Sequence, residues 1–453
     1  MKKRKQFLSG AIFLSVGAFI AKALGALYRI PLTNLLGGAG LGLYQLVFPV
    51  YALLLDFSGA AVPSAISRII AASSQEQKEQ KAYNYFKSSL RLLLFFGIIG
   101  SLVMLILSKP IASLQGAPKA YLSYICLSPA VLLVSIISCF RGYFQGLMNM
   151  LPTAISQVIE QLIKLGLGLL FASILLFDTP KAVAGATLAV TLSELAALIF
   201  LIIVFNLRKK KHDLYLSFAR KDFKEMAKKI IKTTLPITLI GIMLPLSHVI
   251  DSFLTVNILS GYRSDATALY GLLGGAVMTI INLPVSICYG VSTAAIPAIS
   301  SSKSKEEEDR NAAKALLLTV IFALPCVIAC FFGGELIINI LFRNLPQAEK
   351  SVAVKLLQLT SPCVLLLSFL QTGNAVLIGK GRLYSPIISL ILGVFVKTVL
   401  SVILLKIPSL NIYGSVIALN ACYFTVCLIN LILIFNVRVK NAKTRTYGGQ
   451  LTG

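Results

Sequence analysis

The sequence predicts an all-α integral membrane protein with about twelve membrane-spanning helices, arranged as two six-helix lobes related by a pseudo-twofold axis along the membrane normal. Three observations lead to this class. The 453 residues are 57% hydrophobic, only 13% charged and contain no Trp, too little polar material to cover a water-soluble domain. Apolar runs of about 20 residues, each able to cross ~30 Å of hydrocarbon, recur along the whole chain. The second half also repeats short blocks of the first at a fixed spacing.

Six spans are expected within a first lobe, residues 1–206, at 7–30, 41–65, 89–108, 121–140, 153–177 and 183–206. The first follows the basic "MKKRK", exceeds the apolar core of a signal peptide and lacks an A-x-A site after it, so it reads as a retained helix. A basic segment, 207–232, then forms a linker. Six more spans follow in a second lobe, residues 233–436, at 233–258, 268–298, 314–334, 353–378, 384–405 and 412–436, ahead of a polar tail at 437–453. Most of the 42 Lys and Arg fall in the N-terminal tail, the even-numbered loops and the C-terminal tail. Basic residues resist translocation, so both termini are expected in the cytoplasm. Pro49, Pro63, Pro236, Pro245, Pro284 and Pro297 interrupt apolar spans, as static kinks or as hinges.

The internal echo has a register. "VPSAIS" at 62–67 matches "IPAIS" at 296–300, placing Pro63 and Pro297 234 positions apart and Ser67 and Ser300 233 apart. "GLMNMLPTAIS" from Gly146 matches "GKGRLYSPIIS" from Gly379, and here too Pro152 to Pro386 is 234 and Ser156 to Ser389 is 233. In that register Lys164 falls on Lys397. An even number of helices per half gives both lobes the same orientation, an arrangement in which a transporter's substrate site lies between the lobes.

The net charge of +25 raises nucleic acid as a partner, most of all at "RKKK" (208–211). A basic loop beside a membrane span is accounted for by topology and by anionic lipid headgroups, at about 1 kcal/mol per residue, so no nucleic-acid partner is expected. The eight cysteines (126, 139, 288, 326, 330, 363, 422 and 427) lie in apolar runs without a CxxC or a His cluster, which indicates neither disulfides nor a metal site. No phosphate-binding loop, H-E-x-x-H or G-x-S-x-G occurs, and the outer loops are short and offer few carboxylates. The chain is not expected to be an enzyme or to hold a cofactor.

Ionisable groups at bilayer depth cost about 2.5–3.5 kcal/mol each and usually face a cavity or a partner. Here they are Lys22, Arg29, Asp56, Glu160, Lys164, Glu194, His248, Asp251 and Lys397. Gln157, Glu160, Gln161 and Lys164 follow i, i+3, i+4, i+7 and form one polar stripe on the fifth span. The stripe either lines a cavity or holds Glu160 and Lys164 as an i,i+4 pair. Arg29 is either a phosphate grip or an interfacial anchor, and Lys22 lies deeper on the same span. His248 and Asp251, at i and i+3, suit a proton or cation site, unless Asp251 pairs with Lys397.

Two stretches carry a family resemblance: "YRIPLTNLLGGAGLGLYQLVFPVYALLLDFSGAAVPSAISR" (28–68) and "RGYFQGLMNMLPTAISQVIEQ" (141–161). They resemble the polysaccharide-flippase branch of the multidrug/oligosaccharidyl-lipid/polysaccharide (MOP) exporter superfamily, which includes stage V sporulation and lipid II flippase groups. The resemblance implies the two-lobed MOP fold, alternating access and passage of an undecaprenyl-pyrophosphate-linked saccharide to the outer leaflet. On that basis Arg141 captures the pyrophosphate, Lys22, Arg29 and Lys164 neutralise it, and Gln157, Glu160 and Gln161 bond sugar or peptide. Coupling to sodium, protons or membrane potential is open, and partners are a lipid-linked oligosaccharide, anionic lipids and cell-wall synthesis enzymes. The sequence departs from lipid II flippases in three places: its eighth span carries no charge, its eleventh offers Lys397 where some members place an acidic sodium ligand, and a polar tail stands where many have two further helices. The alternatives are a multidrug antiporter on the same scaffold, which calls for an acidic cavity, and a non-transporting scaffold of a wall-synthesis complex.

Overall fold

The computed structural model describes residues 2–59, 62–71, 78–208, 220–302, 304–382 and 384–435. Among them every regular element is a helix, as a chain in hydrocarbon requires when each N–H and C=O must be satisfied internally. Eleven helices are long and apolar enough to cross a membrane among the described residues. The first of these, Ala23–Ser58, is part of α1 (Lys2–Ser58), and α1 takes in the first expected span and most of the second around a bend at Gly37. Gly37 has φ 64° and ψ −176°, a conformation open to glycine because it has no Cβ. The turn between spans one and two is thus a single residue, shorter than the ten-residue gap that hydropathy suggests.

The chain then runs through α2 (Val62–Ala71), α3 (Lys78–Ile106), the short α4 (Ser108–Leu114), α5 (Tyr121–Gly146), α6 (Leu151–Ile174) and α7 (Thr179–Arg208). α8 (Arg220–Ser260), α9 (Ala266–Gly271) and α10 (Met278–Ser300) follow, the last two joined by a π-helical turn at Leu272–Val277. α11 (Lys305–Phe332), α12 (Gly334–Leu341), α13 (Gln347–Thr360), α14 (Pro362–Gly379), α15 (Ser385–Leu404) and α16 (Tyr413–Phe435) complete it. Of the basic segment 207–232, residues 209–219 lie outside the described residues, and 220–232 is the beginning of α8 rather than a linker. The expected tail 437–453 also lies outside them.

α1, α3, α5, α6 and α7 pack on one another, and α10, α11, α14, α15 and α16 do the same. The repeat is visible in local chemistry. Pro152 and Pro386 each stand in the first turn of their helix, α6 and α15, where the missing N–H costs nothing. One turn on, Ser156 donates to the Thr153 carbonyl at 2.8 Å and Ser389 to the Pro386 carbonyl at 3.1 Å. α1 meets α9 at Gly42, where a Cβ would lie 2.0 Å from the Thr267 carbonyl oxygen. Large apolar side chains on α3 (Phe95, Ile99, Leu102) and α11 (Leu317, Ile321, Ile328) point outward, the face a lipid-embedded helix presents.

Candidate functional site

A chamber of about 980 Å³ lies between α1, α5 and α6 on one side and α10, α11, α12 and α14 on the other. Six residues singled out from the sequence line it: Arg29, Arg141, Gln157, Glu160, Gln161 and Lys164. α6 brings four of them, because the i, i+3, i+4, i+7 spacing turns all four to one side of the helix. The neighbours Ala21 and Ala23 also line the chamber, while the side chain of Lys22 lies outside what is described.

The stripe does not pair Glu160 with Lys164. Glu160 accepts from Arg141 Nη2 at 3.1 Å through Oε2 and from Gln161 Nε2 at 2.9 Å through Oε1. Arg141 Nε donates to Ser156 Oγ at 3.1 Å. The expected alternative, an i,i+4 bond between Glu160 and Lys164, is absent among the described ion pairs. Lys164 Nζ lies instead 5.4 Å from the centre of the Tyr28 ring, a cation–π contact that leaves its three donors uncommitted. Tyr28 fits against α6 because residue 168 is glycine: a Cβ there would come within 2.6 Å of the phenol oxygen. Arg29 forms no ion pair among the described residues. Among the described residues the chamber wall therefore carries three cations and one carboxylate, and that carboxylate is already engaged.

The opposite wall is neutral, and sequence reading missed it. Thr279, Asn282 and Ser286 follow i, i+3, i+7 on one face of the eighth span and line the chamber with Gln371. That polar periodicity was the available signal. Ser286 donates to the Asn282 carbonyl at 2.8 Å and Thr279 to the Gly275 carbonyl, so each hydroxyl keeps acceptor capacity. The amide oxygens of Gln157 and Gln371 are buried and have no partner among the described residues.

The second polar group stands elsewhere. Lys397 is 2% exposed, and its Nζ lies 2.5 Å from Asp251 Oδ2 and 2.5 Å from Ser247 Oγ. His248 Nδ1 is 3.9 Å from the same carboxylate oxygen. None of the three lines the chamber. The repeat aligns Lys397 with Lys164, but on α15 the lysine points to α8 and meets Asp251, the pairing the sequence offered as an alternative to an ion site. Of the remaining intramembrane acids, Glu194 is 6% exposed with Oε2 unpartnered among the described residues, and Asp56 faces Gly241 of α8.

At one end the chamber is closed by contacts between the lobes. Asn34 Nδ2 donates to the Leu341 carbonyl at 2.8 Å while its Oδ1 accepts from Asn344 N–H at 3.0 Å. Gly38 N–H donates to Glu349 Oε2 at 2.9 Å. Leu341, which lines that end of the chamber, belongs to the same group.

Two helical lobes around a charged central chamber make up the MOP fold. An inward-facing multidrug resistance MATE family transporter of the MOP superfamily superposes with a TM-score of 0.70 at 19% identity, over 96% of this chain and all of that one. Residues 7–303 match the family described as polysaccharide biosynthesis protein, and the chain belongs to that family. It is 28% identical to stage V sporulation protein B of Bacillus subtilis (strain 168), over 98% of this chain and 86% of that protein. It is 25% identical to the lipid II flippase MurJ of the same organism, over 95% and 82% respectively.

Proposed function

We propose that the protein flips an undecaprenyl-pyrophosphate-linked saccharide, lipid II or a surface-polysaccharide precursor, from the inner to the outer leaflet of the bacterial plasma membrane. The observation that carries this reading is the pair of cations without an ion-pair partner among the described residues, Arg29 and Lys164, beside Arg141 in a chamber between the lobes. A pyrophosphate entering from water loses hydration worth many kcal/mol, and fixed cations with free donors replace it. On the facing walls, the free amide oxygens of Gln157 and Gln371 suit the hydroxyls of a sugar. The polyprenyl tail stays in lipid, so only the head crosses.

With both termini cytoplasmic, the Gly38 end faces outward and the chamber is closed to the outside. The two lobes then rock about it, and the lysines at the start of α8 meet anionic lipid heads. A potential negative inside favours exit of the anionic head by about 2.3 kcal/mol per charge per 100 mV for full passage. Asp251 is held by Lys397, which favours this source of drive over a sodium ion bound at that carboxylate.

Proteoliposomes carrying fluorescent lipid II, an undecaprenyl-pyrophosphate oligosaccharide or a cationic dye test the reading. Movement of either pyrophosphate lipid is expected. Movement of the dye alone would establish a multidrug antiporter, and movement of nothing a scaffold for wall-synthesis enzymes.

A further inference from the structure

A carboxylate looks misplaced in the wall of a chamber that receives an anion, since it repels the ligand and occupies one of the cations. Glu160 does both. Its place is nevertheless well built. Arg141 leaves α5 next to Gly142, where a Cβ would lie 3.1 Å from the backbone of Pro63, so the root of the arginine is fixed against α2. Its guanidinium then forks onto two residues one turn apart on α6. Nε donates to Ser156 Oγ and Nη2 to Glu160 Oε2, both at 3.1 Å. Ser156 is fully buried and uses its own proton on the Thr153 carbonyl at 2.8 Å, so its oxygen can act only as an acceptor and stays with Nε. Glu160 is the exposed member, with 18% of its side chain open.

One prong is therefore an anchor and the other a contact that a ligand can take. We infer that Glu160 is a resident competitor: it occupies Arg141 in the empty chamber, is displaced by the anionic head of the substrate, and reclaims the arginine to expel that head when the chamber opens outward. This rests on the proposed flippase function and adds to it a residue that sets release. The physical need is plain. A carrier must bind strongly enough to load and weakly enough to unload, and Arg29, Arg141 and Lys164 left without Glu160 would favour the first requirement over the second. Displacement also keeps the bookkeeping neutral, because one charge-assisted bond of Arg141 is exchanged for another. Gln161, bonded to Glu160 Oε1 at 2.9 Å, tethers the displaced carboxylate close by, and Lys164, four residues on, lies within its reach on the same helix face.

The test uses the full chain in nanodiscs, with undecaprenyl pyrophosphate titrated by calorimetry, and in proteoliposomes, with flipping of fluorescent lipid II followed over time. Glu160→Gln keeps shape and hydrogen bonding but removes the charge. It is expected to bind undecaprenyl pyrophosphate roughly tenfold tighter, about the worth of one charge-assisted bond no longer surrendered, and to flip several-fold more slowly. Glu160→Asp, which restores the charge, should move both readouts back toward wild type. A structural pair would behave otherwise: Glu160→Gln would weaken binding and flipping together, and that result overturns the inference while leaving the flippase reading intact. If wild type neither binds undecaprenyl pyrophosphate nor moves lipid II, the flippase reading fails and the competitor role falls with it.

Discussion

The backbone N–H of Gly38 donates to the carboxylate of Glu349 across 311 positions of sequence, at 2.9 Å. It does so one residue after the Gly37 bend, where α1 has turned back and its first amides are free of intrahelical partners. Together with the two bonds of Asn34 to the Leu341–Asn344 segment, it ties the lobes at one end of the chamber. A hydrogen bond to a charged group contributes about 1.5–3 kcal/mol. Combining Glu349→Ala with Asn34→Ala should shift the population several-fold toward opening at that end. Spin labels on the two lobes near Gly38 and Glu349, read by pulsed electron resonance, would report a longer distance; an unchanged distribution would mean that these bonds follow closure instead of holding it.

Lys164→Ala should abolish complementation of a flippase-deficient strain while leaving membrane abundance at the wild-type level. The lysine has no ion pair among the described residues, and its contact with Tyr28 contributes only ~0.5–1 kcal/mol or somewhat more where desolvated, so its loss harms function well before stability. Normal growth would show that the stripe is structural.

The opposite order is expected at Lys397. Its side chain is 3% exposed and that of Asp251 22%. Removing either partner strands a charge, a loss of about 3–5 kcal/mol for a buried pair. Lys397→Ala or Asp251→Ala should lower the melting temperature in detergent and the membrane yield. The double variant Lys397→Met with Asp251→Leu should regain most of both, since an apolar pair leaves nothing unsolvated. A double variant as unstable as the singles would contradict a role confined to packing and charge pairing.

Gly42→Ala should exclude the closed arrangement. The added methyl would meet the Thr267 carbonyl oxygen at 2.0 Å, and this is backbone that no rotamer change can move aside. Protein that still reaches the membrane should fail to form a disulfide between cysteines placed at Asn34 and Asn344, which lie together in the closed end. Efficient cross-linking of the Gly42→Ala protein would show that α1 and α9 can separate without opening that end.

Much of the fold could be read from the chain alone. Helix spans follow from runs of apolar residues, and the repeat follows from blocks such as Pro152–Ser156 and Pro386–Ser389, whose first-turn proline and back-bonded serine are local chemistry. The break at Gly37 escaped because one residue with positive φ leaves no trace in hydropathy. On α6 the stripe Gln157, Glu160, Gln161 and Lys164 was legible for the same reason as the spans: helical spacing alone turns the four side chains the same way. The matching stripe Thr279, Asn282 and Ser286 obeys the same rule but was passed over for want of charge.

What the sequence by itself determined is direction: which side chains leave each helix on a common face, and which halves are copies. What only the tertiary structure decided is partnership. Glu160 binds Arg141 rather than Lys164, and Lys397 binds Asp251 rather than facing the chamber its counterpart lines. The physical reason is that periodicity is a property of one helix, whereas an ion pair depends on the few ångströms between two helices distant in the chain, a spacing fixed by packing of small residues such as Gly42, Gly142 and Gly168 against their neighbours.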